Sequence, residues 1–179
     1  MLKELKTIET LVRYTNPYWE YRNDKYSLPS GGIGDYHYVN SRGATMIIPR
    51  LNSDLFVMTN QYRYLNKKTS IEFPGGGLAE GLSYSANALS ELKEETGYLT
   101  ADFVLIGEFN PYNGVTNEIC QIFLADNLVK CSAQPDDTEE FEILELSKND
   151  IINKINKGEI WDGMTLAAWS IYMMKESNI

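Results

Sequence analysis

Two kinds of apolar pattern run along this chain, and they meet near residue 42. Before that point, short runs of strand formers (Leu11 to Tyr14, Tyr18 to Tyr21, Tyr36 to Val39) alternate with turn formers at Arg22-Asn23-Asp24-Lys25 and Ser30-Gly31-Gly32-Ile33-Gly34-Asp35. The pattern predicts a small antiparallel unit of two or three strands over residues 1–41. So few strands bury too little to stand alone, so the unit must pack on the rest of the chain or on a second chain. From residue 42 the runs become continuous. Ala44 to Ile48 and Leu55 to Met58, divided by Asn52-Ser53-Asp54, have the texture of strands covered on both faces. Phe103 to Ile106, Ile119 to Ala125 and Phe141 to Leu146 are further strands.

Helical periodicity appears three times. Ser83 to Thr96 reads as one helix, closed by Gly97 as a C-terminal cap. A second starts at Ser147, which forms a capping box with Asp150, carries Ile151, Ile152 and Ile155 as its apolar stripe, and stops at Gly158. The last, Asp162 to Lys175, turns Leu166, Trp169 and Met173 to one side. Helices interspersed among strands predict an α/β layered domain over residues 42–179.

Composition narrows the chemistry. The 179 residues are 43% hydrophobic and 23% charged, which is globular, and 25 acidic against 16 basic residues leave a net charge of −9. Such a surface repels polyanions, so nucleic acid and anionic membrane are excluded as general partners, and an anionic substrate requires a mediating cation. His37 is the one histidine, and Cys120 and Cys131 the two cysteines, which excludes multi-histidine and cysteine-cluster metal sites. His37 reads as structural and Cys120 as core. Met1 to Lys6 mixes charge with apolar residues, unlike a signal peptide, and no stretch reaches the ~18 apolar residues of a membrane helix; the expectation is a cytoplasmic protein.

The chemistry concentrates in the first helix. At about 100° per residue, Glu91, Glu94 and Glu95 share an arc of roughly 100°, with Ala88, Leu89 and Leu92 turned toward the core and Lys93 turned away. At ~6 Å and an effective dielectric of ~20, each carboxylate pair costs roughly 2–3 kcal/mol before screening. Most acidic runs are solvated faces. Here, however, Gly75-Gly76-Gly77 precedes the helix, and three successive glycines let the backbone approach a ligand while their carbonyls join the carboxylates around a hard cation. Magnesium prefers such oxygen ligands and completes its shell with substrate phosphates.

Placed on Gly76, this segment resembles the box of the Nudix hydrolases: G, five residues, E, seven residues, R-E-U-x-E-E-x-G-U, with U bulky and apolar. Glu91, Leu92, Glu94, Glu95, Gly97 and, loosely, Tyr98 match; Leu82 and Ser90 stand where the family has its first glutamate and its arginine. Those two residues pair in the family and tie the loop to the helix. Losing both leaves no orphaned charge, and Leu82 is expected to replace the pair by packing on the helix. The likeness extends to Gln61-Tyr62-Arg63-Tyr64 and Glu72-Phe73-Pro74-Gly75-Gly76, to Asn110 through Glu118, to Glu139-Glu140-Phe141-Glu142, and to Asn16-Pro17-Tyr18-Trp19, each similar to a segment of the ADP-ribose pyrophosphatases.

The resemblance implies an α/β/α Nudix sandwich with a mixed sheet and the N-terminal β appendage, the latter serving dimerisation and base recognition. It implies hydrolysis of a nucleoside diphosphate joined to another group, ADP-ribose to AMP and ribose 5-phosphate above all, with Mg²⁺ (or Mn²⁺) as cofactor and a homodimer as the assembly. Glu91, Glu94 and Glu95, with the Gly76 carbonyl, are its metal ligands, and Glu139 its general base, with Glu140 second. Trp19, Arg63, Glu72, Gly77 and Glu118 are its substrate contacts. Two rival readings stay open: a hydrolase of another sugar nucleotide or dinucleotide, and a catalytically silent nucleotide sensor, motivated by Leu82 and Ser90.

Overall fold

A computed structural model describes residues 3–132 and 140–176. The chain forms two compact units: residues up to Gly43 together with Asn110–Ile119, and Ala44–Phe109 together with the chain from Cys120 onward.

In the first unit β1 (Thr7–Thr15), β2 (Trp19–Ser27) and β3 (Ile33–Ser41) make an antiparallel sheet in the order β1-β2-β3. The β1–β2 turn is fixed by Asn16, whose Oδ1 accepts the Tyr18 and Trp19 N–H groups at 2.8 and 2.9 Å. The polar run Arg22-Asn23-Asp24-Lys25 is not a turn, as its composition predicts; it lies within the central strand β2. Cross-strand partners explain the difference. Arg22 pairs with Glu20, Arg13 donates to the buried Asn23 at 3.0 Å, and Asn23 faces His37, which takes the Tyr21 hydroxyl at 2.9 Å. Strand neighbours satisfy these side chains as well as water would. The segment 110–119 returns to this unit through a parallel bridge between Val39 and Thr116, so the unit is not continuous in sequence as a 1–41 boundary predicts.

The second unit comprises β4 (Ala44–Asn52), β5 (Leu55–Arg63), β6 (Lys68–Glu72), β7 (Gly75–Gly77), α1 (Tyr84–Thr96), β8 (Tyr98–Leu99), β9 (Asp102–Phe109), β10 (Cys120–Asp126), β11 (Val129–Lys130), β12 (Glu142–Ser147), α2 (Lys148–Asn156) and α3 (Gly163–Glu176). Its main sheet runs β12-β5-β4-β10-β9, with β6 on β5 and β7 on β4; β4 and β10 are parallel and the other pairs antiparallel, so the sheet is mixed. Alternate residues of the continuous apolar runs divide between two cores. Met46, Ile48, Phe56, Met58, Ile122 and Leu124 pack with Ile151, Trp169 and Tyr172, so α2 and α3 cover one face. Ile47, Val57 and Phe123 pack with Ala88 and Leu92, so α1 covers the other. This is an α/β/α sandwich, and burial on both faces is why its strands read as unbroken apolar runs. Trp169 anchors the first core edge-on to Phe56 at 5.3 Å, whereas Trp161 is only half-buried and donates to the Thr69 carbonyl at 3.0 Å, and Met173 is exposed.

The predicted caps at Gly97 and Ser147 are present: Gly97 closes α1 at φ 69°, and Ser147 and Asp150 form a reciprocal capping box; Ser83, read as the first helical residue, is instead the N-cap and accepts from the Ala86 N–H. Lys148 at the start of α2 is ion-paired with Glu176 at the end of α3, and Tyr172 donates to the same carboxylate at 3.1 Å. Lys148, with help from Tyr172, holds the Glu176 carboxyl below the usual range. A depressed carboxyl contributes stability above its unfolded pKa, about 4.3, and loses it as pH falls through the folded value. Glu176→Gln is therefore expected to be less stable than wild type at pH 7 by under about 1 kcal/mol and to converge with it on acidification. Chemical denaturation at pH 7 and pH 3 tests this; a constant difference between the two would contradict it.

Candidate active site

The glycine segment is a short strand pressed between the sheet and α1. Strand β7 pairs with the first residues of β4, Gly75 opposite Met46, Gly76 opposite Thr45 and Gly77 opposite Ala44. A side chain on either of its first two glycines would meet a neighbour, backbone at Gly75 and a side chain at Gly76. A Cβ on Gly75 would lie 2.3 Å from the Thr45 carbonyl oxygen, and one on Gly76 2.5 Å from Glu91 Oε1. Gly77 has open space around its Cα, as a position facing a ligand needs. The chain then turns at Gly81, whose φ of 81° disfavours a side chain, and enters α1.

The three glutamates of α1 sit in different surroundings. Glu95 is buried at 6% exposure, and its Oε1 accepts the Gly75 N–H at 3.4 Å. Glu91 is half-buried against Gly76 and accepts from Asn87 Nδ2 at 3.4 Å. Glu94 is tied to its own helix by the Ser90 hydroxyl at 2.6 Å. Among the described residues no three His, Cys, Asp or Glu side chains are gathered into a ready metal cage. The donor set nevertheless fits a hard cation: all-oxygen, anionic, and set beside a backbone that only glycine allows to come this close. An incomplete protein shell suits magnesium, which keeps waters and substrate phosphates as ligands.

Leu82, which the sequence predicts to pack on the helix, is 42% exposed and belongs to neither buried core. A polar tie on the loop comes from Asn87, which pattern reading overlooks. Asn87 is 2% exposed; its Oδ1 accepts the Ala79 N–H at 2.9 Å, and its Nδ2 donates to Thr45 Oγ1 at 2.9 Å as well as to Glu91. The available signal is an asparagine amid Ala86-Asn87-Ala88-Leu89, a residue that competes with helix and needs a reason to be inside one.

Arg63 and Glu72 form a bidentate ion pair at the entrance to the glycine segment. Arg63 Nε donates to Glu72 Oε1 at 2.8 Å and Nη2 donates to Oε2, while Glu72 is 3% exposed. The Glu72 hydrogen bonds raise the already high Arg63 pKa against the opposing effect of burial, with Asp162 and Glu95 adding weaker attraction. Arg63 also lines a cleft of about 750 Å³ with Asn60, Tyr62, Tyr64, Glu140 and Glu142, within the size range of small-molecule sites.

Gly76, Glu91, Glu95, Arg63 and Glu72 thus share the second unit, with direct contacts from Gly76 to Glu91, Gly75 to Glu95 and Arg63 to Glu72. Trp19 and Glu118 belong to the first. There Trp19 is 39% exposed and tilted against Tyr14 at 5.9 Å, and Glu118 Oε2 accepts the Ser41 hydroxyl at 2.8 Å. Glu139 lies outside the described residues; Glu140 is exposed.

Residues 40–166 match the NUDIX domain model. The chain is 30% identical over 178 residues to the methanol dehydrogenase activator of Bacillus methanolicus, covering 98% of this chain and 96% of that one. It is 29% identical over 152 residues to an ADP-ribose pyrophosphatase of Bacillus subtilis, covering 84% and 82%. The solved structure of an ADP compounds hydrolase superposes with a TM-score of 0.85 over 99% of this chain and 97% of its own, at 15% identity, a likeness of fold.

Proposed function

Since this chain belongs to the NUDIX domain family, we propose that it hydrolyses the pyrophosphate of a nucleoside diphosphate joined to a second group, with ADP-ribose, giving AMP and ribose 5-phosphate, as substrate. The observation that carries this reading is the approach of Gly76 to Glu91 beside the buried Glu95, an anionic oxygen pocket that a side chain on the loop would fill.

The reaction breaks one phosphoanhydride bond. The oxygen of water bonds to one phosphorus, the bridging oxygen leaves with the other, and the water proton passes to a base. Glu91 and Glu95, joined by Glu94 and the Gly76 carbonyl, are the residues that hold a divalent cation. Magnesium, or manganese in its place, supplies charge neutralisation of the diphosphate and activation of water when bound. The net charge of −9 is compatible with an anionic substrate because the local field reverses there. Glu72 fixes the Arg63 guanidinium in one orientation at the cleft, so that its remaining N–H groups face a phosphate or the terminal ribose without further ordering. Glu139 is assigned as the base. Trp19 is assigned to stack on the adenine from a homodimer built on the N-terminal sheet. Glu118 and Gly77 are assigned to the ribose and diphosphate.

A turnover panel read by mass tests the reading, with magnesium and ADP-ribose, ADP-glucose, GDP-mannose, NADH, FAD and a diadenosine polyphosphate. AMP and ribose 5-phosphate are expected to form fastest and in equal amounts. A faster product from another member moves the substrate assignment, and silence with nucleotide binding intact makes the chain a sensor. The likeness to a methanol dehydrogenase activator along nearly the full length favours one second reading, action on a partner dehydrogenase. Methanol oxidation by a purified methanol dehydrogenase, with and without this chain, separates the two.

A further inference from the structure

We infer that Asn87 is a positioning residue that holds the glycine loop against the carboxylate helix, a neutral tie doing what an ion pair between positions 82 and 90 does elsewhere in the family. The inference rests on the NUDIX reading of the site, but its geometry stands independently. Three elements meet at one buried amide: the loop through the Ala79 N–H, the central strand β4 through Thr45 Oγ1, and the helix through Glu91 Oε1.

Chemistry fixes which way that amide points. A backbone N–H only donates and a carboxylate only accepts, so Oδ1 must face Ala79 and Nδ2 must face Glu91. The opposite orientation would set two donors together and two acceptors together. All three bonds are then made by a side chain only 2% exposed, in surroundings where a lost partner has no water to replace it. Ser90 cannot serve as the tie, because its hydroxyl is given to Glu94, nor can Leu82, which is apolar and 42% exposed.

The consequence for the site is specific. Glu91 is bounded by Gly76 on one side and by Asn87 on the other, so the half-buried carboxylate is also aimed. Ala79 lies two residues beyond Gly77, so the same amide sets how far the glycine strand stands from the helix. An interaction of this kind around a metal-binding carboxylate changes metal affinity or activity by about 10–100-fold.

The test uses the full chain, with Mn²⁺ binding followed by electron paramagnetic resonance beside ADP-ribose kinetics. Asn87→Leu keeps the branching and the number of heavy atoms, adds the bulk of two methyl groups, and removes all three bonds. It is expected to weaken Mn²⁺ binding about tenfold and to lower kcat by about 10–100-fold, with KM changed by less than about twofold. Adding Leu82→Glu and Ser90→Arg to Asn87→Leu is expected to restore both properties, since the ion pair then supplies the tie. Wild-type Mn²⁺ affinity in folded Asn87→Leu overturns the inference, as does a loss that the added pair leaves uncorrected. If Asn87→Leu alone does not fold, the triple variant decides: folded and manganese-binding supports the tie, and anything else overturns it. Weakened Mn²⁺ binding in a protein whose wild type leaves ADP-ribose intact would sink the substrate assignment and leave the role of Asn87 standing.

Discussion

Glu95→Gln is expected to lower hydrolysis of ADP-ribose at least about a hundredfold while leaving the melting temperature unchanged or raised. The substitution is isosteric, and the glutamine Oε1 can still accept the Gly75 N–H that Glu95 receives at 3.4 Å. What is lost is one negative charge from a nearly buried position four residues from Glu91, on the same helix face. Without a cation that charge is a burden, since like charges at this spacing destabilise a helix. Loss of activity without loss of stability distinguishes a binding pocket from a solvated acidic face, on which stability would likewise be unchanged or improved but turnover would stay intact. Product formation by mass and a thermal melt, each with and without magnesium, make the comparison. Turnover within about threefold of wild type would remove Glu95 from the site.

A second large effect separates two neighbouring glycines. Gly75→Ala drives its Cβ to 2.3 Å from the Thr45 carbonyl oxygen and 3.0 Å from Met46 Cα, both backbone atoms of the central strand. Nothing there can swing aside, so the pairing of β7 with β4 must open, at a cost of about 1–3 kcal/mol. The expected result is a Tm lowered by several degrees, roughly 2–4 °C per kcal/mol for a chain of this size. Gly76→Ala meets the mobile end of Glu91 instead, at 2.5 Å. The carboxylate can rotate away, so the fold loses under about 1 kcal/mol, but the group needed at the site is displaced and turnover falls about tenfold or more. Denaturant melts and kinetics of the two variants, run side by side, should show one mainly unstable and the other mainly inactive. Wild-type rates in Gly76→Ala would mean that the approach of loop to Glu91 has no part in function.

How much of this was legible in the sequence depended on the range of the interactions. The caps at Gly97 and Ser147 are local devices and read directly. The runs at Ala44 and Leu55 read as two-sided strands because their alternate residues enter two cores. The acidic arc of Glu91, Glu94 and Glu95 follows from helical periodicity alone. Arg22 to Lys25 misleads because its turn-forming side chains find partners across strands, which no local window contains. Strand β7 is invisible for the opposite reason: three glycines lack strand propensity, and only the need to pass close to Thr45 and Glu91 puts them in the sheet. Asn87 is missed for a similar reason. Apolar character suggested that Leu82 packs, whereas the contact that closes the loop is polar and reaches across 42 positions to Thr45.

The split edge of β4 also bears on how the protein is made. One side of that strand carries β7 and then β5, all within a chain segment that leaves the ribosome early, while the other side waits for β10. The Arg50–Asp126 pair, which joins β4 to β10, spans 76 positions. A nascent chain that has released the acidic helix but not β10 therefore presents an open edge beside Ile47 and Ile48, a stage exposed to aggregation. Pairing across so long a separation is slow, as is that of β12 with β5, where Glu142 meets Asn60 and Ser147 meets Leu55, so refolding is expected to be paced by these late strands reaching the sheet.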